Sequence, residues 1–190
     1  PLIVFLFIFA EEFVVILFSE KYAGSSGIFQ IYLVSQLPKI VYFSPLLMAI
    51  DKPRVPLAGA ALGLGVNIPL SWALADIVGI EGPAVATVIS VFLVAAFYMK
   101  QIGGHLGVRV VNVFPFIELL KLLVISFAIA LPLRAFVTAL DLSVNVFIGL
   151  VCSFILYFVL CIGVLGWAGV VRRSDVEFIL SRVRKIARRS

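Results

Sequence analysis

The stretch ALADIVGIEGPAVATVIS, residues 73–90, sets the reading of the chain. An apolar run that starts near residue 55 stops here at Gly79, Gly82 and Pro83, and a second apolar run follows at once. Glycine and proline punctuate regular structure, so the stretch reads as a bend between two apolar segments. Those segments, 55–78 and 82–100, are uniformly apolar and do not alternate at every second residue. In hydrocarbon such segments satisfy their backbone internally only as helices, whereas barrel strands would alternate.

The same pattern continues in both directions. Six hydrophobic segments can be read, at 1–18, 26–50, 55–78, 82–100, 114–136 and 144–168. Most have the roughly 20 residues that a helix needs to cross about 30 Å of hydrocarbon. The first is interrupted by Glu11 and Glu12, so its crossing part is expected at 1–10, with 13–22 an interfacial stub. Breakers separate the others: Gly24-Ser25-Ser26-Gly27, Asp51-Lys52-Pro53-Arg54 and Gly103-Gly104. The expected fold is an all-α integral membrane bundle of about six transmembrane helices. Pro1 opens inside an apolar run without a basic flank, which reads as a cut through a longer protein and not as a signal peptide.

Composition agrees. The chain is 63% hydrophobic and 13% charged, with mean hydropathy +1.22. A soluble domain is about 45–50% apolar and about 25% charged, so lipid must cover what polar surface cannot. Basic residues set the orientation. Lys52 and Arg54 lie in one loop, Lys100 and Arg109 in another, and seven Lys/Arg follow residue 170, whereas the alternate loops hold Lys21, nothing, and Arg134 at a helix edge. The richer set is expected in the cytoplasm, the C-terminus included. The tail, 169–190, carries a capping box (Ser174, Glu177) and apolar residues at helical spacing between arginines. It reads either as an amphipathic helix on anionic lipid or as a charge run that only fixes topology. Without base-stacking aromatics, it does not suggest nucleic acid.

Enzyme signatures are absent: the chain has no G-x-x-x-x-G-K-[ST], H-E-x-x-H or G-x-S-x-G. His105 sits in a Gly-rich loop without a nearby carboxylate, and Glu11 and Glu12 point about 100° apart on a helix. Cys152 and Cys161 fall on opposite helix faces, which rules out a mutual disulfide or metal pair. No catalytic residue, metal or cofactor is implied.

What remains is polar chemistry inside crossings, and Lys39 leads. It lies thirteen residues into the segment 26–50, between Pro38 and Pro45, further from either interface than its stem comfortably reaches. A charge at the bilayer centre costs at least about 2.5–3.5 kcal/mol and normally faces the bundle interior or a wet cavity. Three readings stand: a cavity-lining cation for an anionic substrate, a partner for a carboxylate elsewhere, or a shifted helix boundary. Gln30 and Gln36 share its segment and join it as candidate cavity residues, and Pro38 and Pro45 can open the helix. Asn67 with Pro69 marks a hinge or a tolerated kink. Gly59 and Gly63 form a small-xxx-small face whose ordinary meaning is close helix packing.

These residues also resemble a known family. LFSEKYAGSSGIFQIYL (17–33), MAIDKPR (48–54) and GLGVNIPLSWALADIVGIEGPAVATVIS (63–90) are similar to the C-terminal half of polysaccharide flippases of the multidrug/oligosaccharidyl-lipid/polysaccharide exporter superfamily. The likeness rests on Leu17-Phe18 with Tyr22, Asp51-Lys52-Pro53-Arg54, Asn67, and Gly79 with Gly82-Pro83-Ala84-Val85-Ala86-Thr87, in that order. Ser19 stands where the family usually has glycine and Pro83 where alanine is common. The resemblance implies the C-terminal lobe of a MATE-like transporter, comprising roughly the last six of fourteen helices in a bacterial inner membrane. It implies a lipid-linked oligosaccharide moved between leaflets by alternating access, with a cationic cavity meeting the pyrophosphate and sugar while the lipid tail stays in the membrane. A drug or lipid II exporter of the same superfamily is a related reading. A membrane enzyme or assembly subunit of polysaccharide synthesis is the alternative from another class.

The loop charges make a direct prediction about topology. A cysteine placed at Pro53, His105 or Lys185 should be shielded from an impermeant thiol reagent in intact cells, and one at Gly24 or Ile80 should be labelled. Labelling at 53 with protection at 24 would invert the orientation.

Overall fold

The structure is a computed structural model and describes residues 1–40, 43–49, 51–107, 116–139 and 146–167. The basic tail and Arg109 lie outside the described residues. Among the described residues the regular structure is entirely helical: α1 (Leu2–Ile8), α2 (Ala10–Phe18), α3 (Ser26–Val34), α4 (Phe43–Ala49), α5 (Arg54–Val78), α6 (Gly82–Leu106), α7 (Phe116–Ala139) and α8 (Val146–Trp167). Short 3-10 turns occupy Glu20–Ser25, Pro38–Ile40 and Gly79–Glu81.

Three stretches are long and apolar enough to cross a membrane: Arg54–His105, Phe116–Ala139 and Val146–Gly166. The chain is a helical membrane protein. The first stretch is folded double, because α5 and α6 are 25-residue helices joined by the Gly79–Glu81 turn. The expectation of one helix over segment 26–50 is corrected, and the interruption expected in segment 1–18 at Glu11 and Glu12 falls a little earlier. Segment 1–18 breaks at Phe9 into α1 and α2, and segment 26–50 breaks into α3, the turn at 38–40 and α4. Proline explains the second break. Pro38 has no N–H to donate to the Val34 carbonyl four residues earlier, and α3 ends at Val34. α6 also runs past residue 100 and ends at Gly107, whose φ of 64° suits glycine, so His105 sits in the last helical turn and not in a loop.

The chain divides into two units, one of α1, α7 and α8, the other of α2 to α6. In the first, Tyr157 of α8 is fully buried and its hydroxyl donates to the Pro1 carbonyl at 3.1 Å. Phe5 packs against Phe154 and Tyr157, with ring centroids 5.2 and 5.3 Å away, and Phe7 meets Phe127 of α7. Arg134, expected at a helix edge, lies within α7 and its guanidinium donates to the Ile8 carbonyl at the end of α1. Cys152 is exposed, Cys161 buried, and both are free thiols.

The second unit is built on the α5–α6 hairpin, against which α3 and α4 pack. Glycines set its geometry. Gly79 takes φ 78° and ψ −141°, a region open to glycine, and its N–H closes α5 on the Ala75 carbonyl. At Gly82 a Cβ would overlap the Leu74 carbonyl, which is backbone and cannot swing aside. The G-x-x-G spacing in the quoted stretch thus has two separate physical causes. Upstream, Ser19 takes φ 88° and ψ 165°, also glycine-like, at the position where the resembled family carries glycine.

Thermal unfolding in detergent should separate these glycine positions. Gly82→Ala should destabilise by at least about 1–3 kcal/mol, the usual cost of overpacking. Gly65→Ala, where a methyl meets nothing within 4 Å, should be neutral or stabilising by up to about 1 kcal/mol. Ser19→Gly should stabilise by about 1 kcal/mol or more by relieving a strained backbone. Equal responses at 65 and 82 would refute the close-turn geometry.

Candidate functional site

The hairpin, α4 and the turn at 38–40 line an open cavity of about 520 Å³. Six residues singled out in the sequence line it together: Lys39, Pro38, Pro45, Gly59, Gly63 and Asn67. Gln30, on α3, and Gln36, in the turn after it, are half-buried and lie outside its wall. Gln36 is engaged locally, its amide donating to the Ser35 hydroxyl at 3.2 Å and reaching the Tyr32 carbonyl at 3.4 Å.

Each wall has a local cause. Gly59 and Gly63 keep one face of α5 free of side chains, which lets Tyr98 of α6 lie flat over Gly59. A Cβ there would overlap the phenol ring, and one at Gly63 would come within 3.1 Å of Val94. The Tyr98 hydroxyl donates to the Pro56 carbonyl at 3.1 Å, and its ring meets Phe43 of α4 at 6.1 Å. Phe43 and Leu47 of α4 are buried with Ala95 and Ile102 of α6, which fixes α4 against the hairpin. The small-xxx-small face therefore does two jobs, packing one helix and shaping a cavity wall.

Towards the Gly79–Glu81 turn a polar cross-link spans the hairpin. Asn67 donates to the Thr87 hydroxyl at 3.2 Å and accepts from Ser71 at 3.3 Å. Thr87 in turn donates to the Pro83 carbonyl at 2.9 Å, and the buried Ser90 donates to the Ala86 carbonyl at 2.7 Å. Asn67 precedes Pro69, and its cross-helix bond braces α5 next to the residue that lacks a helical N–H.

Lys39 is the charged residue of the wall. Its backbone N–H closes the turn on the Gln36 carbonyl at 3.1 Å, its side chain is exposed, and among the described residues no carboxylate pairs with it. The helix is broken at Lys39, and the same break sets Lys39 in the cavity wall. The arrangement can hold one anionic group beside an otherwise apolar body.

Thr87, Ser90, Tyr98 and Phe43 line the cavity without having been singled out from sequence. The available signal was the hairpin itself. Folding the chain back at Gly79–Gly82 brings Asn67 opposite Thr87 and Gly59 opposite Tyr98. Among the described residues no group of histidine, cysteine, aspartate and glutamate could hold a metal ion. Comparison of the chain with family models, with curated proteins and with solved structures finds no match in any of the three.

The Gly59–Tyr98 contact should appear as coupling in a double-mutant cycle. Tyr98→Phe should cost about 1 kcal/mol, the worth of one hydrogen bond. Gly59→Ala should cost about 1–3 kcal/mol in the wild-type background and far less beside Tyr98→Ala, where the ring is gone. Additive losses would mean that the ring does not rest on Gly59.

Proposed function

We propose that this chain is part of a transporter that moves lipid-linked oligosaccharide or polysaccharide precursors across a bacterial inner membrane by alternating access. In this reading the six apolar segments are crossings of a MATE-like lobe, two of them as broken helices, with the C-terminus in the cytoplasm. The basic tail rests on anionic lipid of the cytoplasmic leaflet.

The observation that carries the proposal is Lys39: an unpaired cation, among the described residues, at the break between α3 and α4 and in the wall of a cavity. Transporters place their binding sites at such discontinuous helices, where the half-helices and the irregular backbone between them face the substrate. A cation inside a membrane is costly and persists where it does work, and meeting an anionic pyrophosphate is work of that kind. The sequence motifs that resemble polysaccharide flippases supply the substrate class.

The test is complementation of a flippase-deficient bacterial strain with expression matched by blot. Lys39→Met keeps the stem and removes the charge, so the protein should accumulate at least as well as wild type. Transport should fall by roughly tenfold or more, because the phosphate would enter an apolar site uncompensated. Lys39→Arg keeps the charge with different geometry and should retain part of the activity. Full complementation by Lys39→Met at normal abundance would end this reading. Poor accumulation would instead assign Lys39 to a structural ion pair.

A further inference from the structure

The α5–α6 hairpin has ends of opposite charge. Where α4 ends, α5 starts and α6 ends, Leu47, Val55 and Ile102 pack in one cluster. The Lys52 N–H donates to the Leu47 carbonyl at 2.9 Å, which ties the α4–α5 connection to that cluster. The stretches that meet here, 46–58 and 96–107, carry Lys52, Arg54 and Lys100 against Asp51. All three cations are exposed. Around the Gly79–Glu81 turn, residues 66–85 carry Asp76 and Glu81 and no lysine or arginine. Arg54 also heads an apolar face. Arg54, Leu57, Ala61, Gly65, Ile68 and Trp72 follow one another by three or four residues on α5, and all are exposed. Leu57 and Trp72 are the most open of them, at 73% and 78%. From Arg54 to Trp72 the face runs about 27 Å at 1.5 Å per residue, close to the roughly 30 Å of bilayer hydrocarbon. Arg54 therefore lies at headgroup level on one side of the hydrocarbon, and Trp72 near the other edge, where amphipathic rings sit.

We propose that the Arg54 end of α5 binds an anionic phospholipid, with the headgroup on Arg54 and Lys52 and an acyl chain along Leu57 and Ala61. The site is separate from the cavity and from the basic tail, and it does not depend on the transporter reading. Charge complementarity selects the lipid class. Each basic residue near a membrane surface favours anionic lipid by about fivefold before screening by salt. A zwitterionic headgroup offers these two cations no net charge. The apolar face beneath them meets the chain, which a free phosphate lacks. Charges that act only while the chain inserts would leave no lipid preference in the folded protein.

The experiment uses the full chain in bilayers of phosphatidylcholine mixed with phosphatidylglycerol, one of the two brominated so that it quenches a tryptophan it touches. The reporter is Leu57→Trp combined with Trp72→Phe and Trp167→Phe, placed at an exposed position one turn from Arg54. Native Trp72, with Trp167→Phe alone, reports on the other end of the same face. At position 57 phosphatidylglycerol should be favoured about fivefold or more, and at position 72 by less than about twofold. Arg54→Gln and Lys52→Gln should each lower the preference at 57 by about twofold or more, and Arg54→Lys should keep it. Lys21→Gln removes one charge elsewhere in the same unit and should leave it unchanged. The proposal is overturned if positions 57 and 72 show the same preference, or if Arg54→Gln and Lys52→Gln both leave it intact. It is also overturned if Lys21→Gln lowers it as much as Arg54→Gln. Quenching by neither lipid at 57 would mean that protein covers the face, and would overturn it too. Inorganic phosphate should displace phosphatidylglycerol no better than chloride at equal ionic strength. Stronger displacement would make this a site for a free anion and end the lipid assignment.

Discussion

In hydrocarbon there is no water to satisfy a backbone carbonyl, so each break in a helix has to be answered by a donor from the protein itself. Helix ends in both units are met by side-chain donors, whether or not they lie in the three membrane-length stretches. Arg134 donates to the Ile8 carbonyl where α1 gives way to α2. Ser35 donates to the Tyr32 carbonyl at 2.6 Å, and the Gln36 amide reaches the same oxygen, where α3 ends before Pro38. At the hairpin the Gly79 N–H closes α5. The same constraint occupies hydroxyls within unbroken helices. Ser90, Ser126 and Ser153 each donate to the carbonyl four residues earlier, and Thr87 and Thr138 do likewise. Serine and threonine inside the membrane are therefore mostly spent on their own helices.

That expenditure decides what the cavity is made of. A wall with several hydroxyls in sequence becomes, in three dimensions, a wall whose hydroxyl protons are turned to backbone. Close approach does the rest. Gly59 and Gly63 leave room on α5 for Tyr98 and Val94 of α6, and Gly82 lets the start of α6 approach the Leu74 backbone. Larger residues at these positions would push the helices apart or fill the cavity. Packing of the hairpin and the shape of the cavity are thus set by the same glycines, and a substitution there cannot alter one alone.

The hairpin, α7 and α8 were legible from sequence because long uniform apolar runs bounded by glycine and proline leave helices few alternatives. Boundaries fell within a few residues, except at α6, where Gly103-Gly104 read as a loop but the helix continues to Leu106. Segment 26–50 misled for a specific reason. Hydropathy measures how apolar a run is and not whether its backbone is continuous. Segment 26–50 stays apolar on both sides of Pro38, whereas Glu11 and Glu12 did announce an interruption in segment 1–18, which falls at Phe9. For the site, residue chemistry found Lys39, the two prolines, Asn67 and the two glycines. Gln30 and Gln36 were grouped with Lys39 only because a continuous helix would have carried them together. Thr87 and Tyr98 needed the register of the hairpin, which no local pattern states.

The break at Pro38 changes the meaning of Lys39. On a continuous helix the lysine would be a charge deep in a crossing, with its ammonium held at full cost by whatever faced it. In the 3-10 turn Lys39 and Ile40 bond back to Gln36 and Leu37 at 3.1 and 3.3 Å and not one residue further, so the α-helical register is broken there. Such a turn belongs where water or protein can reach it. Lys39 is exposed there, and a charge that water can reach costs less than one held in hydrocarbon. The proline that breaks the helix and the lysine that follows it are therefore parts of one arrangement. Restoring a continuous helix at residue 38 would bury the cation again and remove the wall that makes it accessible.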